Sequence, residues 1–269
     1  MIAQSLLEKR FALRRTQFLC ERFEKSPNIT EECSITNHLS ICYSDADVSV
    51  IPELCGLFLR MYLFTKGWFD YRGDMAMQLW VAPALDDLKF MTCMPCAEGY
   101  ACAPGTRNGA HIILIDSPLL GGKNSDKDRL SAVLAHESCH HFVTDISHAT
   151  LFTMKRQENR DVPMWLEEGL GSVMMTEVSP FFRARFEERI AGITQWYPLE
   201  DLWNDLSGCE NADQAYLQAY RETGSLIRQR GRTEIIRLLY LNRTHCINWN
   251  DLPSGGEVMA KARYANDRN

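Results

Sequence analysis

His136 and His140 stand four residues apart in Ala135-His136-Glu137-Ser138-Cys139-His140-His141-Phe142, and Glu137 directly follows the first of them. On a helix, residues i and i+4 project from one face, so two neutral imidazoles there can hold one Zn²⁺ at about 2.0–2.1 Å each. Glu137 lies one step round the helix and cannot share that direction. It is placed instead to take a proton from a water that the ion acidifies from about 15.7 towards neutrality, as carbonyl hydrolysis requires. With seven histidines and nineteen glutamates in 269 residues, His-Glu-x-x-His is expected by chance about 0.013 times, so coincidence is a poor account of it.

A catalytic zinc site needs a third protein ligand, and its spacing discriminates between site types. A metzincin pattern requires Gly and His where this chain has Val143 and Ile146, and His148 falls two residues late. Downstream stands Val162-Pro163-Met164-Trp165-Leu166-Glu167-Glu168-Gly169-Leu170-Gly171-Ser172. Pro163 suits the first turn of a second helix, and the two glycines allow that helix to approach a neighbour closely. A carboxylate from this helix completes a His₂Glu set with the fourth position open for water.

The elements around these segments read as follows. Residues 1–24 pattern as an amphipathic helix with Leu7, Phe11 and Phe18 on one face, broken by a polar stretch from Lys25 to Ser40. Ile41–Tyr43 reads as a short strand, Val50–Lys66 as a helix and Met75–Val81 as a strand. Ala84–Met91 suits a short helix, Cys93–Asn108 a loop, and His111–Ile115 a strand. A Gly121-Gly122 turn and a capping box, Ser125 with Asp128, open the first metal helix. From there to about Leu241 the pattern is helical. A mixed α/β half followed by an all-helical half is an α+β layout. The chain divides into an N-terminal helix and polar extension (1–40), a main domain (41–245) and a C-terminal tail (246–269).

These segments resemble the gluzincin peptidases, in particular the peptidase-MA-like families and, more distantly, the aminopeptidase-N-like family. Their mark is His-Glu-x-x-His followed by a helix reading Trp-Leu-x-Glu-Gly-(Leu/Phe)-Ala. Trp165-Leu166-Glu167-Glu168-Gly169-Leu170-Gly171 matches with Glu168 in the ligand place and Glu167 at the variable position. The resemblance runs loosely from about Ile41 to Leu239. It implies a zincin-like fold in which strand His111–Ile115 is an edge strand along the cleft, pairing with substrate backbone. It also implies one Zn²⁺ per chain held by His136, His140 and Glu168, with Glu137 as general base. Tyr220-Arg-Glu-Thr-Gly-Ser-Leu-Ile-Arg228 is similar to the family's Tyr-x-x-Gly-Ala-Ser-Val-Leu-Arg, which implies Tyr220 as the donor to the oxyanion; Tyr216, one turn earlier, competes with it.

Two departures narrow the activity. The exopeptidase motif Gly-x-Met-Glu-Asn has no counterpart in Asn108-Gly109-Ala110-His111-Ile112, which lacks a carboxylate, so an endopeptidase is expected over an aminopeptidase. Ser172 replaces the Asp that thermolysin-like sites carry four residues after the third ligand, leaving open what orients the ligands. Two other readings compete. One is an inactive zincin scaffold that binds proteins, which would have no use for Glu137. The other is a zinc hydrolase of non-peptide amides or esters.

The composition is that of an ordinary globular chain, 45% hydrophobic and 24% charged with formal charge −6, which excludes a collagen-like, low-complexity or wholly disordered one. The acidic balance argues against nucleic acid as partner; the resemblance implies protein or peptide substrates. Val48–Phe69 is interrupted by Pro52, Glu53, Arg60 and Lys66, so no membrane span is expected. Met1–Leu7 is too short for a signal peptide, which points to a cytoplasmic protein with reduced thiols, a secreted chain without its signal being the alternative. Cys93-Met-Pro-Cys96 with Cys102 lacks an evident fourth metal ligand and reads as loop thiols or a local disulfide. His141 and His148 read as surface residues or supports of the ligands, Cys139 as a small buried residue, and Met174-Met175 as core.

Overall fold

The apolar runs around residues 40, 80 and 113 are the strands of one sheet, in a computed structural model that describes residues 29–82, 101–107, 110–116, 127–147, 162–243, 245–247, 249 and 260–262. The chain sorts into two compact units. One comprises residues up to Met61 and Arg72–Leu130, the other Tyr62–Tyr71 and the residues from Ser131 onward.

The first unit is built on five strands: β1 (Glu31–Ser34), β2 (Leu39–Tyr43), β3 (Met77–Ala82), β4 (Ala101–Arg107) and β5 (Ala110–Asp116), in the order β1-β2-β3-β5-β4. β2, β3 and β5 run parallel; β1 and β4 flank them antiparallel. Parallel neighbours need a crossover, and helix α1 (Ile51–Trp68) lies in the one between β2 and β3. In β3, Met77, Leu79, Trp80, Val81 and Ala82 are all buried, the continuous apolar run of a strand covered on both faces.

Two expectations are corrected here. Strand His111–Ile115 is not an edge: as part of β5 it pairs with β3 on one side and β4 on the other, so it has no free backbone to offer. Residues 101–107, read as loop, form the outer strand. Arg107 pairs with Ala110, so only two residues of sequence, Asn108 and Gly109, separate the paired ends, and an Asn-Gly sequence strongly favours a tight hairpin. Pro104 explains why β4 is outermost: it has no N–H to give a second neighbour, and the register shifts between Cys102 and Gly105 around it. β1 likewise emerges from the stretch read only as a polar break.

The second unit is helical as expected. Its helices are α2 (Lys127–Ser147), α3 (Met164–Val178), α4 (Pro180–Ala191), α5 (Ala212–Arg230) and α6 (Arg232–Asn242). Asn211 caps α5 by accepting from Gln214 N–H at 3.1 Å. Gly231 stops it with φ of 83°, a left-handed value that a side chain would resist. Strands β6 (His245–Ile247) and β7 (Ala260–Ala262) pair antiparallel, from the last residue of the expected main domain into the segment read as a tail. There Trp249 is fully buried and donates to Asn242 Oδ1 at 3.3 Å, while Asn242 Nδ2 donates to the Ser147 carbonyl at the end of α2.

Cys33, Cys42, Cys55, Cys139 and Cys209 are free thiols. Among the described residues no helix is long and apolar enough to cross a membrane. The expected helices at 1–24 and 84–91, the Gly121-Gly122 turn, Ser125, Cys93, Cys96, His148 and the Cys102 side chain lie outside the described residues.

Candidate metal centre

Helix α2 fixes its two histidines through the residues before, between and after them. Ala132, Ala135, Cys139, Val143 and Ile146 are fully buried. Phe142, two residues after His140, sits among three rings at centroid distances of 5.7 Å (Tyr62), 5.9 Å (Phe69) and 5.2 Å (Tyr71). Tyr71 also donates to Asp145 Oδ2 at 2.8 Å, so α2 is gripped by apolar contact and by a hydrogen bond.

Helix α3 is apolar on every face and correspondingly buried from Met164 to Met174. Pro163 stands just before its first turn, not within it: with ψ of 146° its carbonyl accepts from Leu166 and Glu167 N–H. Such burial strands Glu167 and Glu168 away from water, at 0% and 3% exposure, and a buried carboxylate must find partners. Both find imidazoles. Glu168 Oε2 lies 3.2 Å from His136 Nε2 and 3.6 Å from His140 Nε2, while Glu167 Oε1 lies 3.0 Å from His140 Nδ1.

Donors placed tetrahedrally about 2.0–2.2 Å from an ion would lie about 3.3–3.6 Å from one another. The two distances to Glu168 are close to that spacing, and one donor atom from each of His136, His140 and Glu168 falls within 4.8 Å of the others. This set can hold a metal ion, and a borderline cation such as Zn²⁺ suits two imidazoles and a carboxylate. Glu137 is not among the three.

The electrostatics of the metal-free site follow from burial and from these contacts. Burial alone would keep His140 neutral, but the Glu168 and Glu167 carboxylates outweigh it and push its pKa up to about 9. Burial would raise Glu168, yet His140 and His136 hold it below the usual carboxylate range. For Glu137 burial wins over both imidazoles, and its carboxyl is raised, which makes its ionised form a stronger base.

The two glycines of α3 have separate uses. A Cβ at Gly169 would strike Thr223 Oγ1 and the Ala219 carbonyl of α5, so this glycine permits the close crossing of α3 and α5. A Cβ at Gly171 would come within 2.9 Å of His136 Nδ1 and Cε1, so this one makes the seat of the His136 ring. His136 Nδ1, lying in that seat, is buried without a hydrogen-bond partner among the described residues.

Tyr220 follows Ala219, whose carbonyl touches Gly169 beside Glu168, which puts its backbone near the ligand helix. It stands in mid-helix, its ring edge-on to Phe186 of α4 at 5.2 Å, and its hydroxyl has no hydrogen-bond partner among the described residues. His141 is fully buried, not at the surface, and lies outside the metal group; Cys139 and Met174 are buried, as read. Ser172 is buried as well. The residue that sequence reasoning missed is Glu167, left as a variable position. Its signal was there: a helix apolar on all sides buries both of its adjacent glutamates. Compared with models of known protein families and with curated proteins, the chain matches none.

Proposed function

We propose that this chain is a zinc-dependent peptidase of gluzincin type with a zincin-like fold, cutting protein or peptide substrates internally. The observation that carries the reading is the convergence of His136 Nε2, His140 Nε2 and Glu168 Oε2, with Glu137 buried beside them. A bound Zn²⁺ would polarise the scissile carbonyl and acidify the attacking water. Glu137 takes the proton of that water on a carboxylate oxygen and passes it to the departing amine nitrogen, so the bond is hydrolysed with no net change at the enzyme. Tyr220, with its hydroxyl uncommitted among the described residues, donates a hydrogen bond to the oxyanion. The strand–helix–strand unit, the sheet ahead of α2 and the helical half after it support the fold reading. The absence of a carboxylate in 108–112 to hold a free substrate amine supports internal cleavage. The retained Glu137 weighs against a binding scaffold, which would need no base.

Cleavage of a broad protein and peptide library by the zinc-loaded chain and by Glu137→Gln tests this. The variant keeps its fold and zinc and loses about 10²–10⁴ in rate. Tyr220→Phe, zinc content unchanged, loses about 10²–10³ in turnover. Near-normal hydrolysis by Glu137→Gln contradicts the mechanism, and a wild type that cleaves nothing contradicts the activity.

A further inference from the structure

The two histidines of the metal group are held differently. His136 lies over Gly171 with its Nδ1 buried and unpartnered among the described residues. His140 presents Nδ1 to Glu167 Oε1 at 3.0 Å, and Glu167 is completely buried. Glu167 and Glu168 are consecutive on one rigid helix, so the same backbone that delivers one carboxylate to both Nε2 atoms delivers the other to the far side of His140. An Nδ1–H bonded to a carboxylate leaves Nε2 as the lone-pair nitrogen and makes it more basic, and it fixes the plane of the ring.

Resting on the metal reading above, we infer that Glu167 is the positioning residue of the site: it fixes His140 with Nε2 towards the ion and sets how tightly the ion is held. It touches neither ion nor substrate. The structural alternative, a buried carboxylate that merely satisfies a buried imidazole, would lower stability in its absence without changing zinc affinity once the chain is folded.

The experiment is titration of the metal-free full chain with Zn²⁺ against a chromophoric chelator, for wild type, Glu167→Gln and Glu167→Ala, with circular dichroism to check folding. Glu167→Ala binds Zn²⁺ about 10–100-fold more weakly than wild type, and Glu167→Gln, which keeps an acceptor but no charge, falls between the two. In the metal-free protein, a downfield His140 Nδ1 proton in nitrogen-edited NMR is present in wild type and absent in Glu167→Ala. Folded Glu167 variants that match wild type in zinc affinity overturn the assignment and leave the metal site standing. Should Glu167→Ala not fold, equal affinity of Glu167→Gln and wild type overturns it. A wild type that takes no zinc brings down the peptidase reading, and this assignment with it.

Discussion

Helices α3 and α4 follow one another with only Ser179 between them, and they sit in opposite surroundings. Twelve of the fifteen residues of α3 are buried; none of the twelve in α4 is. The sequences foretell this, since Met-Trp-Leu-Glu-Glu-Gly-Leu-Gly has no polar face and Pro-Phe-Phe-Arg-Ala-Arg-Phe-Glu-Glu-Arg has charges all round. Both contain a Glu-Glu pair. In α4 the pair is solvated and carries no obligation. In α3 the pair is forced to find partners, and it finds the two histidines. The same dipeptide is surface in one helix and site in the next, and burial alone makes the difference.

If that contrast is right, substitutions should lose effect in a set order. Gly169→Ala should be the most damaging. Alanine in a helix gains about 1 kcal/mol over glycine. Here its Cβ meets the Ala219 carbonyl, a backbone atom that cannot swing aside, and lies 2.8 Å from Thr223 Cβ. Overpacking of this kind costs about 1–3 kcal/mol or more, so a net loss of about 2 kcal/mol is expected in chemical denaturation of the metal-free chain. An unchanged midpoint would mean that α3 and α5 are not locked at this crossing.

Gly171→Ala sharpens the comparison within α3. Its Cβ meets a side chain, the His136 ring, which can rotate away. The helix-propensity gain then roughly offsets the contact, and stability should shift by less than about 1 kcal/mol. The displaced ring no longer aims Nε2 at Glu168, so zinc affinity should fall at least about 10-fold. Gly169→Ala is read in stability and Gly171→Ala in metal affinity; the reverse pattern would mean that the two roles are exchanged.

Phe181→Ser, on α4, is the smallest. Phe181 is 54% exposed, and the change should stay within about 0.5 kcal/mol with zinc affinity untouched. A large loss there would show that α4 is not the free surface described.

How legible all this was depends on the range of the signal. His136 and His140 could be paired, and Glu137 set apart from them, because helical spacing is local; which carboxylate of α3 joins the two rings came from the resemblance, and Glu168 does lie against both Nε2 atoms. Glu167 could not be given a role from spacing, since its partner is His140, 27 residues away. β4 was hidden because Cys, Ala, Pro and Gly read as loop, while the pairing that makes 101–107 a strand comes from β5 across Asn108-Gly109. β5 was expected at an edge only through the resemblance: which strand is outermost is a property of the whole sheet, and no single strand's sequence carries it. The glycines of α3 were read together as a means of close approach; only the position of His136 separates Gly171 from Gly169.

The claim on which the rest stands is that His136, His140 and Glu168 together hold one metal ion. Elemental analysis of purified wild type beside a His136→Ala, His140→Ala double variant, both shown to be folded, tests it most directly. The account predicts close to one zinc per chain in wild type and almost none in the variant. Stoichiometric zinc in the folded double variant would contradict it and place the metal elsewhere in the chain.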